Sequence, residues 1–189
     1  MKTWRNSKGQ LHRIKGPAIE WNYGTKFWYQ NGKLHRIDGP AAEWASGTKQ
    51  WYQNGLLHRI DGPAIVFDNG SELWYKNGKR HKLDGPACKW DNGCKKWYRN
   101  GKLHRIDGPA EELANGDKEW WQNGKLHRID GPAIEEITGE KHWFKNGLPH
   151  NSFGPAIIYE DGSVEWYYEG EKIDCESSSS LRISNFFLS

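Results

Sequence analysis

The chain has 189 residues and a formal net charge of +3, from 27 Lys and Arg against 24 Asp and Glu, which is too mild to predict nucleic-acid binding by itself. No apolar run approaches the roughly 20 residues that span a bilayer, and the N-terminus lacks the apolar core of a signal peptide. We therefore predict no membrane insertion. The three cysteines, Cys88, Cys94 and Cys175, follow no period, which favours a reducing, cytoplasmic environment over a disulfide-linked secreted protein.

One short sequence block returns along almost the whole chain. Its Gly-Pro pair recurs every 23 residues without slippage, at Gly16, Gly39, Gly62, Gly85, Gly108, Gly131 and Gly154. A fixed period of this length is typical of repeat architectures. We predict one domain of seven units over residues 1–172, followed by a Ser-rich linker and an apolar tail over residues 173–189.

The residues within one unit alternate like a β-strand pair. Ile19 and Trp21 are apolar around Glu20, a turn containing Gly24 follows, and a second alternating run ends at Asn31-Gly32. Alternation with period two indicates strands, and Asn-Gly indicates a tight hairpin. The sequence thus predicts an all-β fold: an elongated, curved, single-layer antiparallel β-meander of about seven 23-residue, two-strand repeats.

Two features shape this predicted sheet. The Asp61-Gly62-Pro63 segment falls in the middle of a long return strand, and because proline removes a ladder donor we expect a bend there in every unit. Each Trp-Tyr doublet, such as Trp51-Tyr52, places aromatic side chains on both faces of one strand. We expect one of these faces to form a core and the other to form a partly exposed aromatic stripe.

The two-strand unit with its Trp-Tyr-x-Asn-Gly block resembles the MORN repeats. It is more similar to their variant in YwqK-like proteins and in repeat proteins of phages and large DNA viruses, and the resemblance covers about residues 4–170. It implies a binding scaffold without enzymatic activity or a cofactor, and a viral or phage protein that acts in the host cytoplasm. The Leu-His-Arg-Ile-Asp-Gly-Pro-Ala half of the unit departs from the ordinary MORN signature.

The repeated His and Asp could be read as a site or as part of the scaffold. Equivalent residues of successive units are two strand spacings apart, roughly 9.5 Å, which is too far for neighbouring histidines to share a zinc ion with ligands about 2.0–2.3 Å away. Enzymes need one constellation with distinct roles, whereas this pair recurs. We therefore predict no metal and no catalytic residue, and a structural role at the bend for His35, Asp38, His58, Asp61, His104, Asp107, His127 and Asp130.

Charge is the feature that does not repeat. Residues 76–105 contain ten basic and two acidic side chains, whereas residues 106–140 contain nine acidic and three basic ones. A basic zone with interleaved aromatics can hold a phosphate group or an acidic protein face, and the alternative is a solvated surface. The candidate binding residues are Trp74, Arg80, His81, Lys82, Lys89, Trp90, Lys95, Lys96, Trp97 and Arg99.

These observations predict a non-enzymatic scaffold that binds a partner protein. The alternative prediction is a protein that sequesters an anionic small ligand, such as a nucleotide signal, over units three to five. Open sheet edges would also allow self-association.

Overall fold

The computed structural model describes residues 1–173, and its regular structure there is entirely antiparallel β. The predicted all-β fold of repeated two-strand units is confirmed. Within the described range no helix is long and apolar enough to cross a membrane. The predicted linker and tail lie outside the described residues, apart from Ile173, which ends the last strand.

The strands are short, most of them two residues long. In chain order they are β1 (Lys2–Thr3), β2 (Ile19–Glu20), β3 (Lys26–Phe27), β4 (Tyr29–Gln30), β5 (Lys33–Leu34), β6 (Ala42–Glu43), β7 (Lys49–Gln50), β8 (Tyr52–Gln53), β9 (Leu56–Leu57), β10 (Ile65–Val66), β11 (Glu72–Leu73), β12 (Tyr75–Lys76), β13 (Lys79–Arg80), β14 (Cys88–Lys89), β15 (Lys95–Lys96), β16 (Tyr98–Arg99), β17 (Lys102–Leu103), β18 (Glu111–Glu112), β19 (Lys118–Glu119), β20 (Trp121–Gln122), β21 (Lys125–Leu126), β22 (Ile134–Glu135), β23 (Lys141–His142), β24 (Phe144–Lys145), β25 (Leu148–Pro149), β26 (Ile157–Ile158), β27 (Val164–Tyr168) and β28 (Glu171–Ile173).

These strands form one large sheet and a row of hairpins. The large sheet has 16 strands in the order β1-β2-β3-β6-β7-β10-β11-β14-β15-β18-β19-β22-β23-β26-β27-β28. The intervening strands pair two by two into six hairpins, such as β8 with β9, where Tyr52 lies opposite Leu57. Each unit therefore contributes two strands to the large sheet, and units two to seven each add one hairpin beside it.

The Asn-Gly turns close the hairpins as predicted. Asn54 has a φ of 52° and Gly55 a φ of 83°. Positive φ at both central residues is the requirement of a type I′ turn, whose twist matches that of the flanking strands. Because asparagine and glycine tolerate this region best, the dipeptide recurs wherever a hairpin must turn in two residues.

The hairpins leave the large sheet because both arms of each unit are interrupted. The sequence predicts one strand over residues 48–53, but the structure divides it at Trp51 into β7 and β8. The Trp51 N–H donates to the Ala64 carbonyl at 2.8 Å, and the Trp51 carbonyl accepts from the His58 N–H at 3.0 Å. Trp51 thus bonds to the residue that precedes β10 in the large sheet and to the residue that follows β9 in the hairpin, and it stands at the corner between them. The return arm is interrupted at the predicted bend, between β9 and β10.

The core is thin and its most enclosed position is always alanine. The residue after each Gly-Pro pair is fully buried in all seven units: Ala18, Ala41, Ala64, Ala87, Ala110, Ala133 and Ala156 each have 0% exposure. A larger apolar cluster occurs around Ile65, Leu73 and Cys88, with Trp90 and Tyr98 packed against it. Since no deep central core exists among the described residues, stability depends on contacts that repeat from unit to unit.

Candidate functional site

Five of the seven bends are held by an arginine that lies on the corner tryptophan. In the third unit the Arg59 guanidinium carbon is 4.0 Å from the centre of the Trp51 ring. Its Nε donates to Asp61 Oδ1 at 3.1 Å, and its Nη1 donates to the Pro63 carbonyl at 3.2 Å. The same stacking, at 3.9 to 4.2 Å, is made by Arg13, Arg36, Arg105 and Arg128. Arg59 therefore binds within its own unit.

The Asp of the bend is the exposed partner of this arginine. The Asp61 side chain is 83% exposed. The hydrogen bond from Arg59 is the main cause that holds the pKa of this carboxyl below its usual range, with the Asp61 backbone bond and the Arg59 charge adding to it. The same shift, also led by an arginine hydrogen bond, occurs at Asp38, Asp107 and Asp130. Asp61 is thus bonded to arginine rather than to histidine.

The histidine connects its unit to the next hairpin. Between the fourth and fifth units, Lys82 N–H donates to the Tyr98 carbonyl at 3.2 Å, and Gly101 N–H donates to the Arg80 carbonyl at 2.8 Å. These two bonds pass over Asn100, which has a φ of 53° and would otherwise keep an unpaired N–H. His81 Nδ1 accepts that N–H at 3.1 Å.

All seven periodic histidines make this contact. The Nδ1 atom of each histidine accepts a hydrogen bond from the backbone N–H at the equivalent turn position, at 3.1 to 3.2 Å. These histidines are His12, His35, His58, His81, His104, His127 and His150. We predicted that His81 binds a partner, but it makes the same contact as the histidines that we predicted to be structural, which are His35, His58, His104 and His127.

One position of the bend has an apolar side chain that faces solvent. It is the aliphatic residue between the stacked Arg and the paired Asp. Side chains here are 66% to 87% exposed in the first six units: Ile14, Ile37, Ile60, Leu83, Ile106 and Ile129. We call these six residues the apolar row. With two strand spacings per unit, it extends over roughly 48 Å. In the seventh unit Ser152 takes the position, beside Phe153, which is 99% exposed.

The aromatic doublets do not form the most exposed surface of the protein. Trp74 and Trp97 are half-buried beneath Lys82 and Arg105, whose charged ends lie 3.9 and 4.1 Å from the ring centres. Trp90 is also half-buried and packs against the Ile65 cluster. These predicted binding residues therefore make most of their side-chain contacts within the protein. Sequence reasoning missed the apolar row because its isoleucines alternate with polar residues as those of an ordinary strand do.

The basic and acidic segments of the sequence face each other across the sheet. Strand β15 pairs with β18, which places Lys95 opposite Glu112 and Lys96 opposite Glu111. Lys95 Nζ lies 3.1 Å from Glu112 Oε2, and Lys96 forms an ion pair with Glu111, which is only 7% exposed. Lys96 and Glu111 occupy the positions of Leu73 and Cys88 in the unit before. Much of the charge asymmetry is thus neutralised internally.

Other predicted basic residues are also occupied. Arg80 donates to the hydroxyls of Tyr75 and Tyr98 at 3.1 and 3.3 Å. Below it, Cys88 is buried, and this burial is the main cause that raises the pKa of its thiol to about 11. Lys89 is exposed on the large sheet, opposite Lys95 in the neighbouring strand. These residues do not converge on one pocket.

The remaining positive charge is on the hairpins of the fourth and fifth units. The register of β12 and β13 places Lys76 opposite Lys79, and the register of β16 and β17 places Arg99 opposite Lys102. All four are exposed, and within residues 1–173 none has a hydrogen-bond or ion-pair partner. The Lys79 side chain lies over Gly101 of the adjacent turn, so the two hairpins are in contact. Like charges directly opposite destabilise a strand pair. We call these four residues the hairpin cation cluster; only Arg99 was among the predicted binding residues.

The chain matches no protein-family model and no curated protein sequence. Membership of the MORN-like repeats therefore stays a prediction.

Proposed function

We propose that this chain is a non-enzymatic repeat scaffold that binds a partner protein along the apolar row. The observation that carries the proposal is the exposure of a large aliphatic side chain at one position of six successive units. Exposed apolar side chains that are scattered singly are ordinary on a protein surface, whereas groups of them mark interaction sites. The arginine, aspartate and histidine beside the row make contacts within the scaffold. The aliphatic side chain between them is instead largely exposed to solvent.

Charge beside the row indicates the kind of partner. Asp38, Asp61, Asp107 and Asp130 each follow a member of the row and have side chains 83% to 84% exposed. Each carboxylate uses one oxygen on its arginine, which leaves the other oxygen to solvent. The surface is therefore apolar with an acidic border. It fits a protein segment with apolar side chains bordered by lysine or arginine, and it disfavours an anionic membrane surface.

A capture experiment with three proteins tests this proposal. The wild-type chain is compared with an apolar-row variant, Ile37→Ser, Ile60→Ser and Ile106→Ser, and with a hairpin variant, Lys79→Gln and Lys102→Gln. Since these side chains are exposed, melting temperatures should change little. We expect a basic, apolar partner to be retained by the wild type and the hairpin variant and lost by the apolar-row variant. Equal retention by all three proteins would refute the proposal.

Analytical ultracentrifugation separates a different partner from a second copy of this chain. We expect the wild-type protein to stay monomeric at micromolar concentration. A wild-type dimer that dissociates in the apolar-row variant would mean that the row binds another copy of the chain, and the proposal of a different partner protein would then be wrong.

The hairpin cation cluster favours a second function, the sequestration of an anionic small ligand. Lys76, Lys79, Arg99 and Lys102 would be stabilised by an anion because their mutual repulsion is not relieved by any carboxylate in the described part of the chain. A thermal-shift screen with nucleotides at low salt tests this. We expect a rise in melting temperature with the wild type that is absent in the Lys79→Gln, Lys102→Gln variant. No rise at millimolar nucleotide would exclude it. A viral origin and a cytoplasmic location remain predictions.

A further inference from the structure

The sixth unit departs from the repeat at three positions that lie together. Glu136, Glu140 and His142 have ligand atoms that all lie within 4.8 Å of one another, and all three side chains are half-buried. Glu136 stands where the first unit has Trp21, and His142 stands where it has Phe27. In that unit the two aromatic rings pack edge to face at 5.2 Å. The sixth unit has exchanged this apolar contact for metal-ligating groups.

The third position has lost its structural role as well. In other units this residue bonds to the following turn: Thr25 Oγ1 accepts the Ala45 N–H at 3.1 Å, and Ser71 Oγ accepts the Asp91 N–H at 3.0 Å. Glu140 instead contacts His142, with 2.6 Å between Oε1 and Nε2. The requirements of the scaffold therefore do not account for Glu140, and its carboxylate points to the histidine on the same face of the strand.

The backbone fixes the separation of the three groups. Glu136 and Glu140 are the two ends of one turn, closed by the Glu136 N–H donating to the Glu140 carbonyl at 3.0 Å. His142 follows two residues after Glu140 in β23, and its ring packs against Phe144 and Tyr159. The side chains of Glu140 and His142, which are neighbours along one strand, and of Glu136, across the turn, therefore bring their ligand atoms together.

One side of the cluster opens toward the next turn. Glu140 also lines a shallow depression with Tyr159, Glu160, Asp161 and Ser163. Asp161 Oδ1 accepts hydrogen bonds from Ser163 at 2.5 and 2.8 Å, so its other oxygen is the one directed elsewhere. Glu140 therefore borders space that is open to water.

We propose that Glu136, Glu140 and His142 bind a divalent transition-metal ion, with zinc as the reference ion. One imidazole nitrogen and two carboxylates form a donor set that zinc accepts at about 2.0–2.2 Å, with water in the remaining positions. Imidazole selects zinc, copper and nickel over calcium and magnesium. The distance argument that excludes metal at the periodic histidines does not apply here, since these three ligands come from a single turn. This site is independent of the apolar row and of partner binding.

The repeat itself supplies a variant that removes the ligands without disturbing the fold. Glu136→Trp, Glu140→Thr and His142→Phe together install the residues of the first unit, whose side chains pack well at these positions. His142→Gln alone is the smaller change, because the second unit has Gln50 there. Isothermal titration with zinc, and separately with calcium, compares both variants with the wild-type chain.

We expect the wild type to bind one zinc ion, His142→Gln to bind it at least 10-fold more weakly, and the triple variant to lose this binding. Calcium should bind no protein measurably under the same conditions. If the triple variant binds zinc as tightly as the wild type, other histidines hold the ion and the proposal is wrong. It is also wrong if the wild type binds no zinc while its circular dichroism and melting curve show a folded protein.

Discussion

The bend glycine of the third unit is required by the arginine that packs on it, and this can be tested with a single methyl group. A Cβ placed on Gly62 would lie 2.6 Å from Arg59 Cζ, closer than real Cβ contacts allow. Gly62 has no φ in the left-handed region, so alanine is acceptable to the backbone. The Gly62→Ala substitution should therefore destabilise the protein only by displacing Arg59.

The loss of folding free energy in Gly62→Ala is limited to the contacts that the Arg59 guanidinium gives up when it is displaced. The stack on Trp51, at 4.0 Å, is worth about 1 kcal/mol at a half-exposed site. The charged hydrogen bond to the Pro63 carbonyl is worth about 1.5 kcal/mol. The pair with the exposed Asp61 adds little because solvent screens it. We expect Gly62→Ala to cost about 2 kcal/mol, or roughly 4–8 °C in melting temperature for a domain of this size.

A double-mutant cycle measured by urea and thermal denaturation isolates this contact. Arg59→Ala alone should cost about 2 kcal/mol by the same accounting. In that background Gly62→Ala should be neutral, or stabilising by roughly 0.4–1 kcal/mol, because alanine reduces the entropy of the unfolded chain. The coupling energy should thus be about 2 kcal/mol. If the two substitutions were additive, the close approach would not explain the glycine.

The fourth unit provides the matched control. Gly85 has a φ of 109°, and the nearest atom to an added Cβ there is Lys82 Nζ, at 3.7 Å. Gly85→Ala should therefore be destabilising through backbone strain alone. Its cost should be unchanged when Lys82 is replaced by alanine, in contrast to the behaviour of Gly62 with Arg59.

Three further predictions address the remaining scaffold contacts. His81→Ala should cost about 1 kcal/mol by leaving a turn N–H without its acceptor, and urea denaturation measures this cost. Lys96→Glu should cost about 3 kcal/mol or more, because it places a second carboxylate against the buried Glu111; the charge swap with Glu111→Lys should recover part of that loss in the same melting assay. The lowered pKa of Asp61 stabilises the folded state fully above its ordinary value of 3.8, and this contribution is lost as pH falls through the lower folded value. Between pH 6 and pH 2 the melting temperature of Asp61→Asn should therefore fall less than that of the wild type.

Much of the fold follows from local sequence rules. The hairpins depend on Asn54-Gly55 because few other pairs accept positive φ at both turn positions, and this requirement is visible in the sequence. The interruption near Gly62-Pro63 is equally local, since it follows from the missing donor of proline. The strand break at Trp51 was not predicted, because it depends on hydrogen bonds that join this one residue to the large sheet and to the hairpin.

The candidate sites were harder to predict, for two physical reasons. Lys96 and Glu111 are 15 residues apart, and only the pairing of β15 with β18 shows that each neutralises the other. Ile60 alternates like any strand residue, and only the geometry of the bend turns it toward solvent. Charge and hydrophobicity can be counted along a chain, but whether a group is free to bind depends on its neighbours in space.

The sequence by itself determined the repeat, the turns and the all-β class, because each of these depends on backbone preferences within a few residues. Tertiary structure alone decided which side chains are satisfied and which are exposed. Arg80, His81 and most lysines of the predicted site make contacts within the scaffold, whereas Arg99 and the apolar row are exposed. That difference arises because stacking the units brings residues such as His81 and Lys96 against partners 15 to 19 positions away in the chain.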